Sequence, residues 1–560
     1  MRQTSCSLLV AALLSAFTSP ARANDWYVAT NGSDSNAGTA AKPWLTIQRA
    51  VQSVQPGDTV HVADGTYAGW ATDVAGTSNA PITWIADGAN VVVDRPCIGG
   101  PGNPSDNIRL MYADWNVVDG FRSIQAPRAG ISPRGDDVTP ITGVVVRNCV
   151  CDANQTWGIF DAFANQCTYE DDVCSNSVDQ HGIYHSNSGD DSVIRRNHVF
   201  GNHGAGIHLN GDVSQGGDGV ISRMVIEGNV IHGNGANGGG GAAINMDGVQ
   251  DSTIANNLLY DNHASGIIGY QIDAADAAKN DVICNNTVIM AADARWALKL
   301  VDGSSGCTVF GNVLYRDHAF RGSLALDAAS LSGFTSDWNV VVDRFSTDGD
   351  ATKISLAQWQ SATGQDQHSI LIDATQLDSC FADPAGNDWH LASGSPALDA
   401  GVASLAGHSA PATDFEGNAR PQVAGFDVGC DEHRDAAASN YGTGWTGTFG
   451  VPSLGVSTPP RFGAAFDLLL GNSAGADTVA LLAIGTASAS IPTNRGGTIL
   501  VLPLFWQLVS VPSGGATLPS GALDDPALGG AEAFLQQLQL DAGASRGIAF
   551  SEGLDLVVGD

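Results

Sequence analysis

From about Val144 to Val342 the chain repeats one short pattern of polar and apolar positions: an Asn, two or three apolar residues, a polar turn, and an apolar strand ending near Gly. Its returns are Asn148-Cys149-Val150, Asp171-Asp172-Val173, Asn197-His198-Val199, Asn229-Val230-Ile231, Asn257-Leu258-Leu259, Asn286-Thr287-Val288, Asn312-Val313-Leu314 and Asn339-Val340-Val341, stepping by 23, 26, 32, 28, 29, 26 and 27 residues. Self-similarity at that period predicts a stacked architecture in which no unit buries its apolar face alone. The units carry strands and turns with almost no helical periodicity, so the solenoid is expected to be built of β-strands. The recurring Asn residues read as structural: stacked side chains hydrogen-bond along a ladder and tolerate left-handed turns.

Ahead of the repeats, Pro43–Val51 has helical spacing, ended by Pro56-Gly57-Asp58, before a strand at Thr59–Val62 and the turn Asp64-Gly65-Thr66-Tyr67. A short amphipathic helix here would cover the first apolar layer of the solenoid. Strands follow at Pro81–Ile85, Val91–Val93 and Asn116–Val118. The series Tyr27-Val28, Asn31-Gly32-Ser33-Asp34, Thr46-Ile47-Gln48-Arg49-Ala50, Gly57-Asp58-Thr59-Val60 and Gly65-Thr66-Tyr67 resembles the N-terminal cap of secreted right-handed parallel β-helix proteins, relatives of polysaccharide lyases and alginate epimerases. Beyond Val342 the pattern loosens, with a helix-like stretch at Ser355–Ala362. Residues 388–432 resemble the closing segment of such β-helices. The resemblance therefore implies an all-β fold with a right-handed parallel β-helix over residues 24–432.

From Asn440 the composition shifts to Gly, Pro, Leu and Ala, with short apolar strands at Ala464–Leu470, Thr478–Ile484 and Thr498–Leu504 between Gly/Pro turns. This predicts a small β-sandwich over residues 433–560. It is similar to accessory domains that trail many secreted proteins, as a binding module or a stabilising appendage.

Composition narrows the setting. Arg2, the apolar run Leu8–Phe17 and the small-residue end Ala21-Arg22-Ala23 read as a secretory signal over residues 1–23, which places the mature chain outside the cytoplasm, extracellular or periplasmic. No other run is long enough to span a membrane. A net charge of −33 argues against a nucleic-acid partner and allows bound calcium. Asp171-Asp172, Asp190-Asp191 and Asp212 with Asp218 offer clustered hard oxygens, without EF-hand spacing. A monomer is expected. Cys6 leaves with the signal, and of the nine remaining cysteines Cys151 and Cys174 fall at equivalent places in consecutive repeats and form the first disulfide candidate, ahead of Cys284 with Cys307 and Cys380 with Cys430.

Stacking the strands that end each coil on their Gly-apolar pairs gives two outward columns, because strand side chains alternate faces. The first reads Phe160, Tyr184, His208, Asn245, Ile268, Lys299; the second reads Ala162, Ser186, Asn210, Asp247, Tyr270, Val301. His185 falls on the inward phase, as a core histidine. Elimination from a uronic-acid polymer needs a neutralised carboxylate, a base for the adjacent C–H and an acid for the departing oxygen. His208 as base and Tyr184 as acid is the first assignment, with Lys299 the competing base. Arg195, Arg196 or Arg295 would clamp the carboxylate, and Asn210, Asn245, Asp247 and Tyr270 would bind sugar. The insert Asp212–Gly219 would wall a cleft beside His208.

The expected activity is thus that of a secreted polysaccharide lyase acting on an acidic polysaccharide. A C5-epimerase returns the proton instead of breaking the bond. A glycoside hydrolase needs paired carboxylates, and Asp247 is the one acid on the outward columns. A non-catalytic glycan-binding β-helix is the remaining class.

Overall fold

The computed structural model describes residues 23–559 apart from 423, 462, 524–527 and 529. The expected secretory signal, except for Ala23, lies outside the described residues. The fold is a parallel β-helix followed by antiparallel sheets. The chain divides into two compact units, Met1–Ile221 and Ser222–Asp560. No described helix is long and apolar enough to cross a membrane.

In the first unit each coil contributes three short strands, and equivalent strands of successive coils pair in parallel. One coil reads Val145–Arg147, Val150–Asp152 and Trp157–Ala162; the next reads Thr168–Glu170, Val173–Ser175 and Ile183–Ser186. The inward positions form continuous apolar columns, such as Ile108, Ile131, Ile159, Ile183 and Ile207 on the third strands, all buried. Each such side chain contributes about 1.5–3 kcal/mol relative to exposure. The helix Ile47–Val51 starts at Thr46, whose side chain accepts from the Arg49 amide, and buries Ile47 and Ala50 as the pattern predicts.

The turn between first and second strands follows a fixed recipe. The residue ahead of each ladder position takes positive φ: Asn148 (54°), Asp171 (57°) and Arg196 (53°) here, and Asn256 (54°), Asn285 (50°) and Trp338 (59°) in the second unit. The following residue turns inward. In the second unit the buried Asn229, Asn257, Asn286, Asn312 and Asn339 form an unbroken chain, each backbone N–H donating to the next side-chain carbonyl at 2.9–3.0 Å. Asn148 is therefore not a ladder residue. It occupies the exposed left-handed position, and Cys149 holds the ladder place in that coil.

Ladders of the second unit include Thr253–Ala255, Val282–Cys284, Thr308–Phe310 and Thr335–Asp337. The helix Leu356–Thr363 follows, begun by a Ser355/Gln358 capping box. A second helix, Ala374–Cys380, uses the same device at Asp373 and Gln376, a signal the hydrophobic pattern alone did not pick out. The closing segment buries Trp389, Leu391, Val428 and Cys430 in one cluster. Beyond it lie a two-stranded antiparallel sheet, Ser488–Pro492 with Thr498–Val501, and two larger antiparallel sheets. One is ordered Ala437–Tyr441, Gly553–Val557, Glu532–Leu540, Thr478–Gly485 and Phe505–Val511; the other is Leu454–Val456, Ala465–Leu470 and Ala516–Ala522. Leu454, Leu468, Leu482, Val509 and Leu535 share their core. The strand expected over Thr498–Leu504 stops at Val501; Pro503 lacks an N–H to give to a ladder, and a new strand begins at Phe505.

The disulfide expectations are corrected. All nine described cysteines are buried free thiols. Cys151 and Cys174 are ladder neighbours, as their spacing indicated. The two thiols meet unlinked, and hydrogen bonding to Cys174 and then burial hold Cys151 away from the thiolate that disulfide formation requires. Opposite Cys284 the ladder places Phe310, not Cys307. Cys380 and Cys430 share the closing core as thiols.

Asn286 accepts from the backbone and side-chain amides of Asn257 and donates to Ile254, Cys284 and Asn312. Asn286→Ala is expected to cost about 2–4 kcal/mol in urea denaturation, whereas Asn148→Gly should change stability by less than about 1 kcal/mol. A thiol reagent should find none of the nine cysteines in the folded chain and all of them after denaturation without reductant; a lower final count would restore a disulfide.

Candidate functional site

The outward columns read from sequence are those of the structure within each unit. Phe160 pairs with Tyr184 and Tyr184 with His208; Ala162, Ser186 and Asn210 form the neighbouring column. In the second unit Asn245 pairs with Ile268, Ile268 with Lys299, and Asp247 with Tyr270. His185 points inward, fully buried, with Nδ1 2.9 Å from Asp161 Oδ2. Burial opposes its charge, but Asp161 outweighs that and holds its pKa above the usual value.

In the first unit the face is a row of rings. Trp157 stacks on Phe160 at 4.4 Å between centroids, Phe160 meets Tyr184 at 5.4 Å, and Tyr184 meets His208 at 5.0 Å. Asn210 Nδ2 donates to the Tyr184 hydroxyl at 3.1 Å. Two arginines that the sequence reading passed over lie on this row: Arg128 above Trp157 and Phe160, and Arg134 above Phe160 at 5.3 Å. Their signal was ladder position, since Arg134 stands opposite Ala162 on the outward column. Arg128 makes a two-pronged pair with Asp106 at 2.6 Å, while Arg134 makes no ion pair among the described residues. The insert predicted to wall the site forms a single turn, Val213–Gln215, begun by Asp212. Gly219 donates its N–H to Ser188 Oγ at 2.9 Å, which holds the insert against the loop after Ser186.

His208 is not alone. Its Nδ1 lies 2.9 Å from Nε2 of His181, whose own Nδ1 accepts the backbone N–H of Ala205 at 2.9 Å. An amide can only donate, so His181 Nδ1 carries no proton and neutral His181 is protonated at Nε2. That proton goes to His208 Nδ1, which leaves neutral His208 with its proton on Nε2. Burial lowers both pKa values, His208 to about 4, so both rings are neutral at pH 7. His208 Nε2 is enclosed and has no hydrogen-bond partner among the described residues. Its remaining capacity is that of a donor, and the assignment of His208 as a neutral base is corrected to that extent.

Arg195 does not join this row. It lies on the first-strand ladder, where Nε and Nη2 reach Glu170 Oε2 at 2.9 and 2.7 Å, and Arg196 is bound to Asp171 in the same way. The acidic loops are similarly engaged: Asp172 is a buried ladder residue accepting from Cys149, Asp212 caps its turn, and Asp218 accepts from Val220. Among the described residues, the histidine and carboxylates whose ligand atoms approach within 4.8 Å of one another are His390, Glu416 and Asp431. Both His390 nitrogens already meet carboxylates, Nδ1 at Asp388 and Nε2 at Glu416. Burial opposes its charge, yet these two bonds push its pKa to about 11. That arrangement is an ion-pair cluster holding the imidazolium.

In the second unit Asn245, Ile268, Tyr270, Arg295 and Asp302 line a cleft of about 260 Å³. Lys299 is half-buried on the rung after Ile268, about 4.8 Å further along. Asp247 is buried beside it and accepts the amides of Ile272 and Asp273 at 2.9 and 2.8 Å, which anchors the turn behind Tyr270. Burial raises its pKa, and the two amides work against that rise.

Residues 30–300 match the family described as a protein of unknown function, DUF1565. Pectate lyase PEL9 of Emericella nidulans is 36% identical over 101 residues, 17% of this chain and 24% of that enzyme, so the alignment spans about a quarter of the relative. Among solved structures, pectate lyase Pel9A aligns at 15% identity over 73% of this chain and 96% of its own, with a TM-score of 0.46. An alginate lyase from Paenibacillus aligns at 17% identity over 58% and 96%, with a TM-score of 0.37. The Azotobacter vinelandii mannuronan C-5 epimerase AlgE4 A-module aligns at 13% identity over 57% and 91%, with a TM-score of 0.29.

Because His208 has a folded pKa of about 4 against an ordinary 6.5, the unfolded chain binds the extra proton first as pH falls. The stability contributed by keeping it neutral is complete above pH 6.5 and drains away between pH 6.5 and 4. Urea midpoints across that window should fall less steeply in His208→Gln than in the parent chain.

Proposed function

We propose that this chain is a secreted lyase that cuts a uronic-acid polysaccharide by β-elimination in the cleft around Tyr270 and Arg295. The observation that carries the reading is the set of groups at that cleft: a guanidinium, a phenol, an amide, the single carboxylate of Asp302 and, one rung away, the amine of Lys299. Arg295 would neutralise the sugar carboxylate and so acidify its neighbouring C–H. Lys299, in its unprotonated form, takes that proton onto Nζ; the electron pair forms the new C=C bond and expels the glycosidic oxygen, which receives a proton from the Tyr270 hydroxyl. Asn245 orients the ring by hydrogen bonds. His208 is set aside as the base because its Nδ1 accepts from His181 and its enclosed Nε2 bears the proton. Asp247, spent on two backbone amides, supports the turn and leaves Asp302 as a single lining carboxylate, short of the pair that hydrolysis needs. Calcium remains a proposal to be tested alongside, since a hard cation bridging carboxylates would assist the same neutralisation.

A second reading, glycan binding without chemistry, is favoured by the stacked Trp157–Phe160–Tyr184 row, a surface suited to sugar faces.

Purified protein incubated with alginate, pectate, glucuronan or glycosaminoglycan, with and without calcium, should raise the ultraviolet absorbance of unsaturated uronates on one of them. Lys299→Met should lower the rate by at least about 100-fold and Tyr270→Phe by about 10–100-fold. New reducing ends without absorbance would replace elimination by hydrolysis, and a changed epimer ratio alone would replace it by epimerisation. No change in any of the three would leave the binding reading.

A further inference from the structure

We propose that the outward row Arg134, Phe160, Tyr184 and His208 is a second binding subsite, taking carboxylate-bearing sugar residues of an anionic glycan laid along the axis of the coils. The ligand class rests on the reading above; the site itself is built wholly from residues of the first unit.

Two donors at the ends of the row lack acceptors. Nε of the half-buried Arg134 is enclosed and makes no hydrogen bond among the described residues, and the same holds for Nε2–H of His208. A donor without an acceptor is costly, and an oxyanion satisfies it once the side chain turns toward the ligand. Other charges around Arg134 are already engaged: Arg128 is held by Asp106, and Asp136 accepts the Tyr112 hydroxyl at 2.7 Å. Burial, and then the nearby Arg128, disfavour the charge on Arg134 and so increase what an incoming anion gains there. Between the two donors the rings of Phe160 and Tyr184 supply apolar faces, with the Asn210 amide beside the phenol. Arg134 and His208 stand three rungs apart along the axis and two residues apart along the strand, a backbone span of roughly 16 Å, which suits a short run of pyranose rings carrying acid groups at both ends. A chain of net charge −33 repels polyanions at a distance, so recognition must come from enclosed donors at contact.

The test is isothermal titration calorimetry on full-length Lys299→Met protein, to suppress turnover, with hexagalacturonate, hexamannuronate and their methyl esters. One acid hexamer should bind, with its ester at least about tenfold weaker. Arg134→Gln and His208→Leu should each weaken the acid by about tenfold and narrow its advantage over the ester, with Arg134→Lys intermediate. Thermal melts matching the parent would assign the losses to the subsite. Folded Arg134→Gln and His208→Leu proteins that bind acid and ester as the parent does would overturn the proposal, as would a parent that binds no acid hexamer. Persistent product formation by Lys299→Met would instead refute the cleft chemistry and leave this binding result standing.

Discussion

The Asn ladder is the constraint from which the rest of this structure follows. A parallel coil leaves its turn amides pointing along the stack, where no strand partner is available, and a buried amide without an acceptor costs about 1–3 kcal/mol. A side-chain amide placed one coil on, as between Asn257 and Asn286, answers that amide and repeats its own need in the next coil. The solution is periodic by nature. It fixes coil spacing and register together, and register decides which side chains face out. Tyr184 lies beside His208, and Lys299 beside Ile268, because the turns on the other side of the coil cannot slip.

Period and alternation made the ladder and both outward columns readable, since they depend on sequence offsets that a pleated strand enforces. The inward place of His185 followed from the same parity. What escaped were properties set by partners rather than by position. Arg134 and Arg195 are the same residue type, yet Glu170 holds Arg195 and no ion pair among the described residues holds Arg134. The left-handed position was misplaced by one residue at Asn148 because Asn suits both the strained turn and the ladder behind it, and only geometry separates the two roles. The helix at Ala374–Cys380 was hidden for another reason: its start is declared by the polar pair Asp373 and Gln376, not by an apolar stripe.

Polar groups outside the ladder follow an economy of the same kind. Asp247 gives both oxygens to a turn, Asp106 answers Arg128, and His390 sits between two carboxylates. In so acidic a chain, a functional group is distinguished less by its type than by its not being matched. Judged that way, the donors of Arg134 and His208 stand apart from the arginines of the first-strand ladder.

The proton on His208 is governed from a place that side-chain substitution does not reach. The group that sets it is the peptide N–H of Ala205, so replacing the methyl of that residue leaves the instruction intact. Scanning the coil with alanines would pass over position 205 without effect, and its influence would be credited to the two imidazoles. Proline is the one natural residue that withdraws the amide itself, and with it the reason for either ring to prefer one tautomer. A chemical polarity at the surface is in this way written into the main chain.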